Sequence, residues 1–241
     1  MTIDAFIFDL DGTLVDTELL WAEAMSAYLA DRHCHCAKET MLHIVFGRSW
    51  IDIYRDITER FPAMANTPSH VMADGLRDYY LKLRSQGDGV IIHSSSALLK
   101  TLAERHPVII VSGSPRADVE EAVTLLGADR HVRFVLGAED YAPGKPSPAG
   151  FLKGASLLGA APRNCLVFED SHAGVTAAKA AGMWCVALDR PCAHPQDLGA
   201  ADWVLRDLAD FTLAGFKKHV EGCFQTAAAL PSALPLIFRF I

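Results

Sequence analysis

The sequence predicts a doubly wound α/β fold, a parallel sheet with helices on both faces, carrying an all-helical insertion after the first strand. Three observations lead to this prediction. Short apolar runs recur along the chain, as expected for strands that are buried on both faces. Segments with apolar residues at helical spacing separate most of these runs. The stretch of about residues 16–88 contains no such run and has helical patterns throughout.

The predicted elements alternate along the chain as such a fold requires. The first strand is Ala5–Phe8, which ends at Asp9. Later strands are predicted at Val108–Val111, Val132–Leu136, Cys165–Phe168 and Trp184–Leu188. The helices between them are predicted at Leu98–Arg105, Val119–Leu126, Phe151–Leu158 and Val175–Ala181.

The helical stretch divides the chain into a core and an insertion. Its helical patterns are Leu19–Leu29, Met41–Phe46, Ile51–Phe61 and Val71–Leu83, and Gly87-Asp88-Gly89 closes it. We therefore expect a core domain of residues 1–15 and 89–220 and a helical domain of residues 16–88. Residues 221–241 are apolar and contain proline. They are expected to form a tail that docks on the core, serves an interface or is poorly ordered.

Composition and charge restrict the classes of partner. The chain has 241 residues, of which 51% are hydrophobic, enough for a sizeable core. Acidic residues outnumber basic ones by 29 to 22, which gives a net charge of -7. Because no basic cluster offsets this charge, nucleic acid and anionic membranes are not expected as partners. No apolar run is long enough to cross a bilayer.

The six cysteines indicate free thiols in a reducing compartment. The N-terminal residues show no basic region and no cleavage site, so we expect no signal peptide and a cytoplasmic protein. The segment His33-Cys34-His35-Cys36 resembles half of a zinc site, but a second pair at loop spacing is missing. A chance cluster is therefore favoured over zinc binding. Cys165 and Cys185 fall in predicted strands and are interpreted as small buried residues.

The segment after the first strand carries two acidic residues and a glycine. Asp9 and Asp11 stand two positions apart, and such residues point to the same side of an extended segment. They are thus expected to converge at the carboxyl end of a central strand, where open α/β sheets bind ligands. Gly12 allows the chain to turn away sharply. Taken alone, the segment also fits an ordinary Asp-Gly turn.

The second predicted strand is followed by a candidate anion-binding loop. Ser114 suits a helix N-cap and Pro115 the first helical position. Backbone N–H groups of that helix and the Ser112 hydroxyl would then point at one place, which favours an anion. A simple helix cap explains this segment equally well.

Two later segments carry charged groups. Lys145 lies in Gly144-Lys145-Pro146-Ser147-Pro148, where prolines fix the backbone beside the ammonium group and Ser147-Pro148 indicates a helix start. Glu169 and Asp170 follow the fourth predicted strand, and their carboxylates suit a hard cation. The alternatives are a solvated lysine and a cap of the next helix by Asp170 or Ser171.

Together, the four segments resemble the motifs of the haloacid dehalogenase superfamily of phosphotransferases. Asp9-Leu10-Asp11-Gly12-Thr13 is similar to the first motif, Ser112 to the second, Lys145 to the third and Glu169-Asp170 to the fourth. The resemblance covers roughly residues 3–210. The sequence from Glu169 to Gly182 resembles that of the branch containing sugar-phosphate phosphatases and β-phosphoglucomutase. The resemblance implies a Rossmann-like core and a helical insertion that acts as a cap.

This resemblance implies a magnesium-dependent phosphatase that acts on a small phosphorylated metabolite, with sugar phosphates expected. Asp9 would attack phosphorus and form an aspartyl-phosphate, and Asp11 would protonate the leaving oxygen and then activate water. Mg²⁺ would lie on Asp9, the backbone carbonyl of Asp11 and Asp170, with Glu169 acting directly or through water. The phosphoryl oxygens would be held by Ser112, Gly113, Ser114 and Lys145.

The cap is expected to select the substrate through Trp21, Gly47, Arg48 and Trp50, although packing within the cap is favoured for helix-spaced aromatics. Caps of the β-phosphoglucomutase type carry further basic residues around the loop glycine and a histidine in the first cap helix. Here the loop is Phe46-Gly47-Arg48-Ser49-Trp50, and Trp21 lies in the first helix. The cap of this chain therefore offers few groups that could hold a second phosphate. We thus favour hydrolysis over isomerisation.

Three alternatives to a phosphatase are considered. A phosphoryl isomerase would use the same residues. A dehalogenase is disfavoured because that branch lacks the second aspartate and the metal-binding acid, which Asp11 and Asp170 supply here. A catalytically idle metabolite- or partner-binding protein is disfavoured by the intact motif set. A monomer is expected, with a dimer through the apolar tail as the alternative.

Overall fold

The computed structural model describes residues 1–45, 50–84, 90–190 and 195–228. Six parallel strands form one sheet in the order β3-β2-β1-β4-β5-β6. The strands are β1 (Ala5–Phe8), β2 (Val108–Val111), β3 (Phe134–Leu136), β4 (Cys165–Glu169), β5 (Trp184–Leu188) and β6 (Trp203–Leu205). The predicted doubly wound fold with its helical insertion is confirmed.

Four helices lie between β1 and β2 before a fifth leads back into the sheet. They are α1 (Thr17–Ala30), α2 (Lys38–Val45), α3 (Trp50–Arg60), α4 (Ser69–Arg84) and α5 (His93–Ala103). Later helices follow β2, β3, β4 and β6 and cover the sheet. They are α6 (Arg116–Leu125), α7 (Ala149–Leu158), α8 (His172–Ala180) and α9 (Leu213–Ala228).

The sheet separates two apolar layers, and alternate residues of β1 enter opposite layers. Phe6 and Phe8 pack in the layer that includes residues of α5, α6 and α9. Ala5 and Ile7 pack in the layer that includes residues of α7 and α8. All four side chains are fully buried, as expected for a central strand covered on both faces. This burial fixes the register of β1 and therefore the place where Asp9 leaves the sheet.

Helices α1 to α4 build a third apolar cluster of their own, which includes Met25, Tyr28 and Ile57. The two segments that connect this insertion to the sheet are hydrogen-bonded to each other. The Asp16 N–H donates to the Val90 carbonyl at 2.7 Å, and the Ile92 N–H donates to the Leu14 carbonyl at 2.9 Å. Asp16 also caps α1 through the Leu19 N–H. The two connecting segments thus run side by side and form a paired stem at the base of the insertion.

Several predicted element bounds were wrong. The third strand begins at Phe134 rather than Val132, and β6 was missed because its three residues are only partly buried. Helix α9 runs through Glu221, so the helix continues into the segment expected to be a tail. The rest of that segment, residues 229–241, lies outside the described residues, as does the Gly87-Asp88-Gly89 return.

Two helix starts also differ from prediction. Helix α6 begins at Arg116 with Pro115 in the N-cap position, so Ser114 is not the cap. The Ser114 hydroxyl donates to Asp11 instead of bonding to the first N–H groups of the helix. Likewise, α7 begins at Ala149 after Pro148. Among the described residues, no helix is both long and apolar enough to cross a membrane.

Candidate active site

The order of the strands brings the predicted site residues to one edge of the sheet. β1 lies between β2 and β4, and all three strands run parallel. Their carboxyl ends therefore meet at the same edge, where Asp9 follows β1, Ser112 follows β2 and Asp170 follows β4. The Asp9 N–H extends the pairing by donating to the Phe168 carbonyl at 2.9 Å.

Lys145 connects two of these strand ends. Its ammonium group donates to a carboxylate oxygen of Asp9 and to one of Glu169. The Lys145 side chain is 15% exposed, that of Asp9 is 7% exposed and that of Glu169 is fully buried. The loop after β3 thus places a mostly buried cation between β1 and β4, and phosphate binding by Lys145 stays a prediction.

Glu169 also fixes the loop that follows β4. Its second carboxylate oxygen accepts hydrogen bonds from the Asp170 N–H at 3.0 Å and from the N–H and hydroxyl of Ser171. Ser171 is the N-cap of α8, where its hydroxyl accepts from the Gly174 N–H. This confirms the alternative that Ser171 caps that helix, and it leaves Asp170 beside Asp9.

Three carboxylates at this edge fit a metal ion. Asp9, Glu169 and Asp170 each offer an oxygen, and these oxygens lie within 4.8 Å of one another. Gly12 permits this approach because its φ of 82° turns the chain away and because a Cβ there would collide with the Asp170 carboxylate. The donor set is all oxygen, which is the type that Mg²⁺ prefers.

The second half of the site is the loop after β2. The Ser112 hydroxyl donates to Asp11 Oδ2 at 3.0 Å and accepts from the Ser114 N–H at 2.9 Å. The Ser114 hydroxyl donates to the same Asp11 oxygen at 2.6 Å. Ser112 is fully buried, whereas Gly113 next to it is exposed. Asp11 is therefore joined to the β2 loop, while Asp9 is joined to Lys145.

The charges of the site shift the ionisation of its groups. Burial raises the pKa of the Asp9 carboxyl well above its ordinary value, Lys145 opposes this, and the neighbouring carboxylates of Glu169, Asp170 and Asp11 add to it. Burial alone would lower the pKa of Lys145, but Asp9 and Glu169 outweigh it and raise that pKa. Lys145 therefore remains a cation. Because several carboxylates face this one ammonium group, a further cation would be favourable.

The predicted cap residues are only partly described. Trp21 stacks on Tyr80, with ring centroids 4.0 Å apart, and the Trp50 indole N–H donates to the Ser69 hydroxyl at 2.9 Å. Both tryptophans also pack against the apolar cluster of the insertion. Gly47 and Arg48 lie outside the described residues. The packing role favoured for the helix-spaced aromatics is thus observed, and substrate contact by the cap stays a prediction.

The segment His33-Cys34-His35-Cys36 was the other metal candidate in the sequence. Within the described residues, the only group of three or more potential ligands is the one at Asp9, Glu169 and Asp170. Cys34 is instead buried in the apolar cluster of the insertion. Cys165 and Cys185 are fully buried, as predicted, and burial raises the thiol pKa of Cys165 to about 11.

The sequence analysis missed two residues that contact the site. The Tyr141 hydroxyl donates to the Ser112 carbonyl at 2.9 Å, and the Thr13 hydroxyl lies 3.4 Å from Asp170 Oδ1. Thr13 belongs to the first motif, which was a signal that could have revealed it. Tyr141 lies between Asp140 and Ala142 in a segment without an apolar repeat, so neither spacing nor periodicity indicates its role.

Comparisons with known proteins agree with this geometry. A family model of haloacid dehalogenase-like hydrolases matches residues 3–182. Validoxylamine A 7'-phosphate phosphatase of Streptomyces hygroscopicus subsp. limoneus is 33% identical over 206 residues, covering 85% of this chain and 93% of that protein. Hexitol phosphatase A of Escherichia coli (strain K12) is 33% identical over 216 residues, covering 88% of this chain and 95% of that protein.

A solved structure resembles the whole described architecture. A haloacid dehalogenase family hydrolase from Deinococcus radiodurans R1, determined with bound phosphate and sodium, superimposes with a TM-score of 0.72. It is 25% identical and covers 90% of this chain and 97% of its own. The similarity therefore extends over the insertion as well as the sheet.

Proposed function

The chain belongs to the haloacid dehalogenase-like hydrolase family and is a phosphoric monoester hydrolase, and on that premise we propose that it hydrolyses phosphate monoesters of small polyhydroxylated metabolites through Asp9. The observation that carries the proposal is the meeting of Asp9, Lys145 and Asp170 at one sheet edge. A carboxylate beside a buried ammonium group and a second carboxylate suits attack on a phosphoryl group.

Asp9 is the proposed nucleophile. An oxygen of its carboxylate forms a bond to phosphorus while the bond from phosphorus to the metabolite oxygen breaks, which leaves an aspartyl-phosphate. Lys145, the Ser112 hydroxyl and the N–H groups of Gly113 and Ser114 would hold the phosphoryl oxygens, on which charge collects. For this, the Ser112 hydroxyl turns from Asp11 to the phosphoryl group, and the Ser114 N–H leaves the Ser112 hydroxyl. Lys145 already contacts Asp9, so one ammonium group can bind both the nucleophile and the phosphoryl group.

Asp11 is the proposed general acid and base. It gives a proton to the leaving metabolite oxygen in the first step. In the second step it takes a proton from water, whose oxygen attacks phosphorus and breaks the bond to Asp9. Free phosphate then leaves, and both aspartates return to their starting states. The hydroxyls of Ser112 and Ser114 hold the Asp11 carboxylate at the edge of the phosphate-binding loop.

The proposed cofactor is Mg²⁺, and the residues present fit it. Asp9, Asp170 and the backbone carbonyl of Asp11 would hold the ion, with Glu169 acting directly or through water. When bound, the ion supplies positive charge that offsets the repulsion between the Asp9 carboxylate and the phosphate anion. The oxygen-only donor set and the excess of carboxylates over cations support this assignment.

We propose that the helical insertion, residues 16–88, is the cap that covers the site. In this proposal the insertion moves as one unit about its paired stem, in which Asp16 bonds to Val90, and the contact of Arg84 with Asp118 opens during that movement. Two relatives are named validoxylamine A 7'-phosphate phosphatase and hexitol phosphatase A, and these names support a polyhydroxylated substrate for this chain. The isomerase alternative depends on residues 46–49, so it stays a prediction. The expected monomer and cytoplasmic location also stay predictions.

A panel of phosphorylated metabolites at fixed magnesium tests the proposal. Hexitol phosphates, hexose phosphates, phosphosugar acids, nucleotides and p-nitrophenyl phosphate are compared by phosphate release. We expect release from the polyol and sugar phosphates, and loss of more than about a thousandfold in Asp9→Asn. Asp4→Asn is the matched control, because Asp4 precedes the same strand at the opposite edge of the sheet.

The outcomes separate the candidate functions. Release by the wild type that survives in Asp9→Asn contradicts the assigned nucleophile. Interconversion of hexose 1- and 6-phosphates without release of phosphate would favour the isomerase. A wild type that binds these metabolites but releases phosphate from none of them would favour the binding protein.

A further inference from the structure

Ser112 is the most completely bonded residue of the phosphate-binding loop. Its N–H donates to the Leu136 carbonyl of β3 at 2.9 Å, and its hydroxyl bonds to Asp11 and to the Ser114 N–H. Its carbonyl accepts the Tyr141 hydroxyl at 2.9 Å. The N–H, the hydroxyl and the carbonyl of Ser112 thus each have a protein partner. Only the last of these bonds comes from a side chain outside the family motifs.

The bond to the Ser112 carbonyl also controls the next residue. The carbonyl of Ser112 and the N–H of Gly113 belong to one planar peptide unit and point in opposite directions. Fixing the carbonyl therefore fixes the direction of the N–H. Gly113 cannot supply that restraint itself, because it is exposed and a Cβ built there would meet no atom within 4 Å.

The sequence makes room for the tyrosine at a separate position. The Tyr141 ring lies over Gly150, in the first turn of α7, where an added Cβ would come within 2.7 Å of Cε2 and 2.8 Å of Cζ. Real Cβ atoms do not approach ring carbons so closely, so any larger residue at this position would displace the ring. Tyr141 also packs against the apolar layer that contains α7, which further restricts the ring.

We propose that Tyr141 is a positioning residue of the active site: its hydroxyl holds the Ser112 carbonyl and thereby directs the Gly113 N–H at the phosphoryl group. This inference rests on the proposed function for the identity of the anion. Gly150 belongs to the same arrangement, because only a residue without a side chain leaves the ring in place. Tyr141 does not touch the reacting atoms in this role and acts through the β2 loop.

The substitution Tyr141→Phe removes the hydroxyl and keeps the ring. Inorganic phosphate is the probe, and its dissociation constant is measured by titration calorimetry in the presence of magnesium. We expect affinity to fall about five- to tenfold, as for the loss of one hydrogen bond to a buried carbonyl. With a metabolite that the wild type hydrolyses, kcat should fall by at least this factor, because the loop binds the transition state more tightly than the substrate.

Tyr54→Phe is the matched control. The Tyr54 hydroxyl donates to the Thr67 carbonyl at 2.8 Å, which is the same kind of bond, but within the helical insertion. Both variants should lose similar stability in urea, whereas only Tyr141→Phe should lose phosphate affinity. Equal phosphate affinity in Tyr141→Phe and the wild type would overturn the proposal, whatever the change in stability.

A second pair of variants tests the ring position without touching the hydroxyl. Gly150→Ala should weaken phosphate binding by displacing Tyr141, while Gly222→Ala, in an open position on α9, should leave it unchanged. If Gly150→Ala binds phosphate as the wild type does, the geometric part of the inference is wrong. The calorimetric readout needs no turnover, so a wild type that binds phosphate without hydrolysis would contradict the proposed function alone.

Discussion

The carboxyl edge of the sheet and the helical insertion use charged residues in opposite ways. At the edge, Lys145 joins Asp9 and Glu169, which come from distant parts of the chain and are almost completely buried. In the insertion, the pair Arg55–Asp52 joins residues three positions apart whose side chains are largely exposed. Exposed pairs of this kind contribute little to stability, whereas a buried charge without its partner is costly. We expect the charges at the edge to serve the proposed chemistry, whereas exposed pairs such as Arg55–Asp52 contribute little to the stability of the insertion.

The stability of the insertion comes from its apolar cluster. Its aromatic side chains keep their polar atoms inside the insertion, as Trp50 does with Ser69 and Tyr54 with Thr67. At the sheet edge, the comparable hydroxyl of Tyr141 instead reaches a residue of the predicted phosphate loop. Substitutions at the edge should accordingly affect turnover, and substitutions in the insertion should affect stability or substrate preference. The four predictions below test this division.

The largest effect is expected for Asp11→Asn. Loss of the general acid should lower kcat about 100- to 10,000-fold for a metabolite with an alcohol leaving group. The loss should be smaller in the first step with p-nitrophenyl phosphate, because nitrophenolate leaves without a proton. Phosphate release and a stopped-flow burst of nitrophenolate measure the two cases. Trp50→Phe, in the insertion, should change kcat less than about tenfold; equal losses in both variants would break the proposed division.

Lys145→Gln should cost about 3–5 kcal/mol of unfolding free energy, because it leaves the buried carboxylates of Asp9 and Glu169 without their cation. Arg55→Gln, which breaks an exposed pair in the insertion, should cost less than about 1 kcal/mol. Urea unfolding of both variants without added metal measures the difference. Equal costs for the two substitutions would contradict the contrast between buried and exposed charges.

Arg84 lies where the two regions meet. It is the last residue of α4, is only 7% exposed, and donates to the Asp118 carbonyl of α6 at 2.7 Å. Its ion-pair partners, Asp118 and Glu121, are partly exposed and can be hydrated after the change. We therefore expect Arg84→Gln to cost about 1–3 kcal/mol in urea unfolding. A cost no greater than that of Arg60→Gln, an exposed control in the insertion, would show that this contact is not structural.

The smallest effect concerns Asp140 in the loop before Lys145. A hydrogen bond from the Gly137 N–H, aided by Arg116, lowers the pKa of Asp140 below its ordinary value. Its contribution to stability is therefore present above the ordinary pKa of an aspartate and is lost as the pH falls through the lowered value. Asp140→Asn should be less stable than the wild type by under about 1 kcal/mol at pH 7. The difference should shrink as the pH falls below the ordinary pKa of an aspartate, and a difference that grows in acid would contradict the sign.

The sequence predicted the parts of the molecule that depend on regular patterns. Strands β1, β2 and β5 were predicted with their observed bounds because they are continuous apolar runs. The convergence of Asp9, Ser112 and Asp170 followed from parallel strands whose ends meet at one edge. Strand β6 was missed because its residues are partly exposed and show no continuous run.

Other features depend on tertiary contacts that no local pattern encodes. Ser114 is a residue type that often caps helices, but its hydroxyl bonds to Asp11 because the loops after β1 and β2 meet in the fold. The bond from Tyr141 to Ser112 crosses 29 positions in the sequence and requires Gly150 to leave space for the ring. Substrate selection is the least predictable part, because an insertion stabilised by apolar packing can change its inner surface without changing its fold.

The central claim is that Asp9 carries the phosphoryl group, and trapping that intermediate tests it most directly. Asp11→Asn, which should release phosphate slowly from the intermediate, is mixed with p-nitrophenyl phosphate and magnesium, quenched and treated with borohydride, which reduces an acyl phosphate to an alcohol. We predict that peptide mass spectrometry will find homoserine in place of the aspartate at position 9, and that omitting magnesium will abolish it. Reduction at another carboxylate, or a nitrophenolate burst with Asp9 unmodified, would contradict the account.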